Sequence, residues 1–297
     1  MGSPVTVRTL NLRDIKVLHI EPTDVCQAAC PLCARETDPN FRKDLQHHLD
    51  MYKIIQLFDV DQIAALEKMF MCGNYGDPAA GKYTLNIYRE FRNLNKNIVL
   101  GMNTNGGLQN ALWWNELGRI FNQPQDYVVF SIDGLEDTNH MYRRNVDWRK
   151  LMINAESYIA AGGSAHWDML VYRHNQHQVD ACEQLARDMG FSWFRAKVSK
   201  RTLLDSQLQM PIDWQLPVTA QGPINCHALN ESSAYITAQG QLSPCCWLGE
   251  TAIVEDQFNN IQQTWKTNSP NQICKATCSG TVKTPFTTQW QREKSLN

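Results

Sequence analysis

The sequence has no apolar run approaching the ~18 residues that a helix needs to cross a bilayer. Its first residues, Met1-Gly2-Ser3-Pro4-Val5-Thr6-Val7-Arg8, carry no apolar signal region. No membrane partner is expected, and a reducing cytoplasm is the expected home. An excess of one charge is also lacking. Lys and Arg number 28 against 30 Asp and Glu, a formal net charge of −2. That argues against a nucleic-acid protein built on a broad basic face. Nor are the ten cysteines scattered as a disulfide framework would be. Three lie between Cys26 and Cys33, and five between Cys226 and Cys278. Clustering of this kind favours metal or cluster ligation. With 297 residues, the chain has room for one large domain, or one plus a small appendix.

The stretch Cys26-Gln27-Ala28-Ala29-Cys30-Pro31-Leu32-Cys33 follows a short β-leaning run, Val17-Leu18-His19-Ile20, closed by Glu21-Pro22. A loop after a strand can turn three sulfurs toward one point. Three thiolates would hold three irons of a four-iron, four-sulfur cluster. Such clusters usually take four cysteines, so the missing fourth ligand leaves one iron open to a substrate or cofactor. A structural zinc favours paired two-residue spacings and needs four ligands. No fourth cysteine lies nearby, although His47 or His48 would serve. A disulfide would leave an odd thiol.

Further along, apolar β-like runs alternate with amphipathic helical patterns. Strands are predicted over 17–20, 69–72, 98–102, 127–132, 167–172 and 193–198. Asp50 is expected to cap a helix with Met51, Ile54, Ile55 and Phe58 on one face. A second helix shows Ile87, Phe91 and Leu94, and a third Leu112, Trp113, Leu117, Ile120 and Phe121. Trp113-Trp114 reads as a helix-to-sheet contact. Asp147 is expected to cap the helix of Leu151, Ala155 and Ile159, which stops at Gly162-Gly163. The last helix carries Val179, Cys182, Ala186 and Met189 and ends at Gly190. Six strand–helix repeats call for a parallel sheet with right-handed crossovers. Polar and glycine-rich segments follow strands one to four, so they should meet at the carboxyl ends of the strands, where α/β folds place their sites. His174-Asn175 would end strand five near the same mouth.

Past Val198 the pattern changes. Residues 199–223 read as a polar connection. Ala238-Gln239-Gly240-Gln241 looks like a turn between two short strands, which would bring Cys226 and Cys245 toward one end. A helical segment over 257–266 then leads to Cys274 and Cys278.

Cys-x3-Cys-x2-Cys at Cys26, Cys30 and Cys33 resembles the signature of the radical S-adenosylmethionine (SAM) superfamily. The resemblance implies an α/β fold, a partial (β/α)6 barrel, with a small C-terminal twitch-like domain containing a β-hairpin. It would divide the chain into an extension over 1–16, a core over 17–198, and a linker with an auxiliary-cluster domain over 199–297. Tyr75-Gly76-Asp77-Pro78 is similar to the family's Gly-Gly-Glu-Pro, which contacts the SAM amino group. Charge-assisted hydrogen bonds suit a carboxylate at that place, and a plain turn with Pro78 opening a helix is the other reading. Ser131-Ile132-Asp133-Gly134, followed by His140, Tyr142 and Arg143, resembles the stretch whose serine and arginine bind the SAM carboxylate. An arginine fork fits a carboxylate, and Arg144 is adjacent. Asn103, Thr104 and Asn105 would reach the ribose or sulfonium region, or serve the turn before Gly106-Gly107.

Cys226, Gly240 and Cys245, with Cys274 and Cys278, resemble the SPASM/twitch extension. That implies one auxiliary four-iron cluster, with Cys246 as a spare beside Cys245; four cysteines on a structural zinc is the alternative. The implied cofactors are two [4Fe-4S] clusters and SAM. The implied function is reductive cleavage of SAM to a 5′-deoxyadenosyl radical, with hydrogen abstraction from the substrate. A net oxidation with the auxiliary cluster as electron acceptor is expected, hence a radical-SAM oxidoreductase. The partners expected are a small-molecule or peptide substrate and an electron donor such as flavodoxin or ferredoxin. Only 25 residues precede Cys26, which favours a small molecule or a directly recognised protein. A peptide or protein maturase on the same scaffold is the second reading. A non-catalytic zinc or iron–sulfur interaction protein is the third.

Overall fold

The computed structural model describes residues 11–198, 208–212, 222–248, 264, 270–279 and 286–291. Among these, nine strands form one sheet in the order β8-β7-β1-β2-β3-β4-β5-β6-β9. They are β1 (Val17–Ile20), β2 (Lys68–Met71), β3 (Val99–Thr104), β4 (Tyr127–Ser131), β5 (Ala165–Val171), β6 (Trp193–Val198), β7 (Ser233–Ile236), β8 (Leu242–Ser243) and β9 (Phe286–Gln291). Strands β1 to β6 run parallel in sequence order, as the six-repeat pattern predicts. β7 adds a seventh parallel strand beside β1, pairing Leu18 with Ala234 and Ile20 with Ile236. β8 and β9 pair antiparallel at the two edges. The expected hairpin is present as β7–β8, with Gly240 in the left-handed region (φ 84°). The helical segment expected over 257–266 and most of the connection over 199–223 lie outside the described residues.

The helices are α1 (Ala34–Thr37), α2 (Met51–Leu57), α3 (Val60–Ala64), α4 (Thr84–Leu94), α5 (Ala111–Ile120), α6 (Asn139–Tyr142), α7 (Trp148–Ala160), α8 (Val179–Met189) and α9 (His227–Asn230), with a further helix at Gln272–Cys278. Local chemistry sets their ends. Asp50, Asn110 and Asp147 accept from the backbone amides of Lys53, Trp113 and Lys150, satisfying amides the first turn leaves orphaned. Gly190 takes the left-handed conformation that closes α8 (φ 89°).

One face of the sheet is apolar and covered. Leu18, Ile20, Met69, Met71, Leu100, Met102, Val128, Phe130, Trp167 and Phe194 share a single buried cluster with Ile54, Phe91, Trp114, Leu117, Leu151 and Cys182 from the helices. Trp114 packs on Phe130 at 5.2 Å between ring centroids, and its indole N–H donates to Leu108 O. Two expected core positions are corrected. Ile55 is 41% exposed and Leu112 is 81% exposed. α2 keeps Ile54 and Phe58 buried and loses only Ile55, whereas α5 turns by about one residue and buries Trp114, Leu117 and Gly118, the 3.6-residue stripe that excludes Leu112. Among the described residues no helix is long and apolar enough to cross a membrane.

Candidate functional site

The second face of the sheet, called inner here, is built differently. Burial alternates strictly along β5 and β6, and their half-buried residues on this face are His166, Asp168, Leu170, Trp193, Arg195 and Lys197. Below the polar loops one row of the inner face is aromatic, formed at the third residue of β1, β2 and β7 and near the start of β4, β5 and β6. Tyr235 lies against His19 (4.7 Å) and His19 stacks on Phe70 (4.3 Å). Tyr127 stacks on His166 (5.3 Å), which meets Trp193 edge-on (5.2 Å). Gly101 lies between the two groups because a Cβ there would come within 2.7 Å of the Tyr127 ring. The Lys68 ammonium spans that gap, 5.3 Å from Phe70 and 4.9 Å from Tyr127. The belt forms a floor, and the polar loops rise from the carboxyl ends above it.

Cys26, Cys30 and Cys33 occupy the loop between β1 and α1. That loop is held by two other segments and by a bond of its own. Asp77 N donates to Val25 O (2.9 Å), Ala29 N to Arg144 O (3.1 Å), and Cys33 N to Cys30 O (3.0 Å). The loop after β2 packs directly on it, and only glycine fits at 76: a Cβ would fall 1.8 Å from Thr23 O. Buried Glu21 braces the same junction, accepting from Tyr75 N (2.7 Å), Gly76 N (3.2 Å) and the Tyr235 hydroxyl (2.5 Å). Two nitrogen donors reach the sulfurs. Asn105 Nδ2 is 3.5 Å from Cys26 Sγ, and Arg143 Nη1 is 3.9 Å from Cys30 Sγ. Burial, helped by the charge of Asp77, pushes the Cys26 thiol up to about 12. Burial raises Cys30 too, with Arg143 pulling the other way.

Arg143 is held by Asp133, its Nε donating to Oδ2 at 2.6 Å, and Leu170 N donates to the other carboxylate oxygen (2.6 Å). Asn175, expected near the mouth, braces this loop by donating to Asp133 O (2.9 Å). His174 stacks on Tyr172 instead. Arg144 turns outward and supplies its carbonyl to the cysteine loop. Asp77 is buried and occupied: its carboxylate accepts from Ala79 N (2.9 Å), Thr104 Oγ1 (2.8 Å) and Asn105 N (2.7 Å). This is the capped turn before Pro78, tying the ends of β2 and β3 together. Tyr75 faces away from the inner face, stacking on Phe41 at 4.4 Å and donating to Asp38 (3.0 Å). Asn103 and Ser131 are half-buried at the ends of β3 and β4. His47, considered as a fourth ligand, is bonded to Asp24 through Nδ1 (2.5 Å).

The second cysteine group comes from three separate segments. Cys226 precedes α9, Cys245 follows β8, and Cys274 and Cys278 lie one turn apart on the last described helix. Asn225 N donates to Cys278 O (2.9 Å), and Ile224 bridges Ser279. Burial pushes the Cys278 thiol up and the neighbouring Cys226 and Cys245 push it further, so these three share a neighbourhood. Cys274 is buried. The Cys246 carbonyl accepts from Asn74 Nδ2 (2.7 Å), and burial pushes the Cys246 thiol up to about 12, with neighbouring Cys245 and Glu21 adding to it. Among the described residues no three His, Cys, Asp or Glu side chains gather closely enough for a single metal ion.

Sequence reasoning missed Gln27, whose amide donates to Asn105 Oδ1 (2.7 Å), and it missed Asp168, Arg195 and Lys197. A signal for the last three was present: charged residues at period two on adjacent predicted strands lie on one face.

No family model matches the sequence, and no curated protein matches it. Solved structures do. Streptococcus suis SuiB bound to the precursor peptide SuiA superposes with a TM-score of 0.59 at 13% identity, covering 86% of this chain and 65% of that one. SuiB bound to S-adenosylmethionine gives 0.56 at 14%, covering 86% and 66%. The chain thus spans just under two thirds of SuiB's length. Native anSMEcpe with bound AdoMet and Cp18Cys peptide gives 0.53 at 14% identity, covering 77% of this chain and 73% of that one. At such identities the likeness carries the fold. The protein has the radical-SAM partial-barrel fold, and its resemblance to the SPASM/twitch members holds at that level.

Proposed function

We propose that the protein is a radical-SAM enzyme whose SAM-binding [4Fe-4S] cluster is held by Cys26, Cys30 and Cys33. The observation that carries this reading is a three-thiol loop, buried at Cys30 and half-buried at Cys26 and Cys33, at the carboxyl mouth of the radical-SAM fold, with Asn105 and Arg143 directed at its sulfurs. Buried neutral thiols gain little from such donors, whereas cluster sulfurs are tuned by them. A thiol raised by burial becomes a thiolate only beside strong positive charge, which irons provide.

When bound, the cluster and SAM supply a 5′-deoxyadenosyl radical that abstracts hydrogen from the substrate. The chain's own residues do the rest. Ser131, Arg143 and Asp133 would hold the methionine carboxylate end, with Asp133 fixing the arginine in place. Asn103 and Thr104, with the Tyr75-Gly76-Asp77 loop, would bound the opposite side. In this reading Asp77 acts as a brace, since its oxygens are already engaged. The aromatic floor excludes water from below. Cys226, Cys245, Cys274 and Cys278 would hold an auxiliary [4Fe-4S] cluster that accepts the electron left on the substrate, giving a net oxidation. An electron donor such as a flavodoxin or ferredoxin would complete the cycle. Peptide modification is the second reading, favoured by the peptides bound to SuiB and anSMEcpe.

The test is anaerobic reconstitution of the full chain followed by reduction with dithionite in the presence of SAM. About eight irons per chain and formation of 5′-deoxyadenosine are expected. Retained zinc without nucleoside would overturn the reading in favour of a non-catalytic metal-binding protein.

A further inference from the structure

One residue touches both cysteine groups. Asn74 lies half-buried in the loop after β2. The Cys33 thiol donates to its backbone carbonyl (3.9 Å). Its side-chain Nδ2 donates to Cys246 O (2.7 Å), 172 positions away in sequence, and Cys246 follows Cys245 directly. The first bond reaches the cysteine loop after β1. The second reaches the segment that leaves β8 toward the other group.

The loop that carries Asn74 is firmly held. Cys72 N donates to Ile20 O (3.2 Å), continuing the β1–β2 pairing. A Cβ on Gly73 would fall 2.2 Å from Gly76 O, so the loop closes tightly on itself. Glu21 accepts from the next two amides, Tyr75 N and Gly76 N. The segment that receives the bond leaves β8, a strand of two residues. Cys245 O accepts from Ser243 Oγ (3.1 Å) and Leu248 N (3.2 Å), which are its own near neighbours. A donor on a rigid loop, aimed at the exit of a short strand, fixes where Cys245 stands. The bond needs an amide: its acceptor is a carbonyl, and a carboxylate of the same shape has no hydrogen to give. Tyr235 makes a second link from the same hairpin, to Glu21 (2.5 Å). That link is less critical to position, because four register pairs already fix β7 against β1.

We propose that Asn74 is a positioning residue that sets the second cysteine group against the first, so that the metal centres held by the two keep one separation and orientation. The proposal rests on the radical-SAM reading and its auxiliary cluster. Asn74 acts on Cys245 through the carbonyl of Cys246. Hydrogen-bonding partners just outside a metal's ligands orient those ligands and tune the centre they hold.

The test uses the reconstituted full chain, reduced without SAM. Electron paramagnetic resonance reads the magnetic interaction between the two clusters, and a redox titration reads the midpoint potential of each. One residue spans the gap, so the wild type should show an interaction that the summed spectra of Cys30→Ala and Cys274→Ala lack. Asn74→Ala and Asn74→Asp should lose it and shift the midpoint of the second cluster, with iron content unchanged. Asn74→Gln keeps the amide and should restore part of the interaction. Tyr235→Phe cuts the other link and should keep the wild-type spectrum; mere loosening of the hairpin would move both variants alike. A wild-type spectrum equal to that sum would overturn the proposal. So would an unchanged interaction in Asn74→Asp, or its equal loss in Tyr235→Phe. If Asn74→Ala folds poorly or binds less iron, the Asp and Gln variants decide between the same outcomes. The parent reading fails separately: a wild-type chain that takes up no iron is recognised by metal analysis before any spectrum is recorded, and it ends both readings.

Discussion

The two cysteine groups are assembled in opposite ways. Cys26, Cys30 and Cys33 lie on one loop after β1, so chain connectivity alone brings their sulfurs near each other. Cys226, Cys245, Cys274 and Cys278 arrive from a helix start, a hairpin end and a later helix, and only the fold gathers them. The first group is bound into the centre of the molecule by Asp77, Arg144, Arg143 and Asn105. The second stands beside β7 and the edge strand β8. A local motif can be read from spacing, whereas an assembled site depends on elements that spacing does not locate.

The largest test of that contrast uses one cysteine from each group. Cys30→Ala and Cys274→Ala should each lose about four irons. Cys30→Ala should abolish 5′-deoxyadenosine formation, whereas Cys274→Ala should retain it and lose product formation. Iron analysis and nucleoside chromatography check this, and loss of SAM cleavage in both variants would break the distinction.

A smaller effect sharpens the central group. Asp133 is buried, paired with Arg143 and bonded to Leu170 N. Asp133→Ala leaves a buried guanidinium without its anion, so a loss of about 3–5 kcal/mol is expected. Urea unfolding measures it, and a loss below about 1 kcal/mol would show that Arg143 does not depend on this partner.

The floor beneath the first group predicts a pH dependence. His19 donates Nε2–H to Cys72 O (2.6 Å), and burial, only partly offset by that bond, lowers its pKa to about 4. An unfolded histidine titrates near 6.5. Between these values the unfolded chain binds more protons, so stability falls as pH drops from about 6.5 toward 4 and is level above. From pH 7 to 5 the wild type should lose about 2 kcal/mol more than His19→Phe. Equal slopes in chemical denaturation would contradict a neutral buried imidazole. The smallest effect belongs to the corrected core: Leu112→Ser should change the unfolding midpoint by the equivalent of less than about 0.5 kcal/mol, since that side chain faces water.

Much of this was legible beforehand for physical reasons. The six parallel strands, the Asp50 and Asp147 caps and the Gly190 stop follow from local periodicity and capping chemistry. β7 joining β1 was not legible, because Ser233-Ala234-Tyr235-Ile236 says strand without naming its neighbour. Ile55 and Leu112 were misplaced because apolar residues adjacent to a helical stripe look like members of it. At the site, the cysteine loop was singled out from its spacing, and Arg143 from the resemblance to the radical-SAM family. The roles of Glu21, Asn105 and Gln27 were not legible, since each acts through a hydrogen bond to a residue 54 or more positions away. Asp77 shows the converse: its motif was visible, but its carboxylate is consumed by Thr104 and the backbone.

The most direct measurement is electron paramagnetic resonance of a Cys226→Ala/Cys278→Ala double variant, reduced with and without SAM, so that only the first group contributes a signal. A spectrum that changes when SAM is added is predicted, because the nucleotide would ligate the iron that Cys26, Cys30 and Cys33 leave open. A reduced-cluster spectrum identical in both samples would contradict the account.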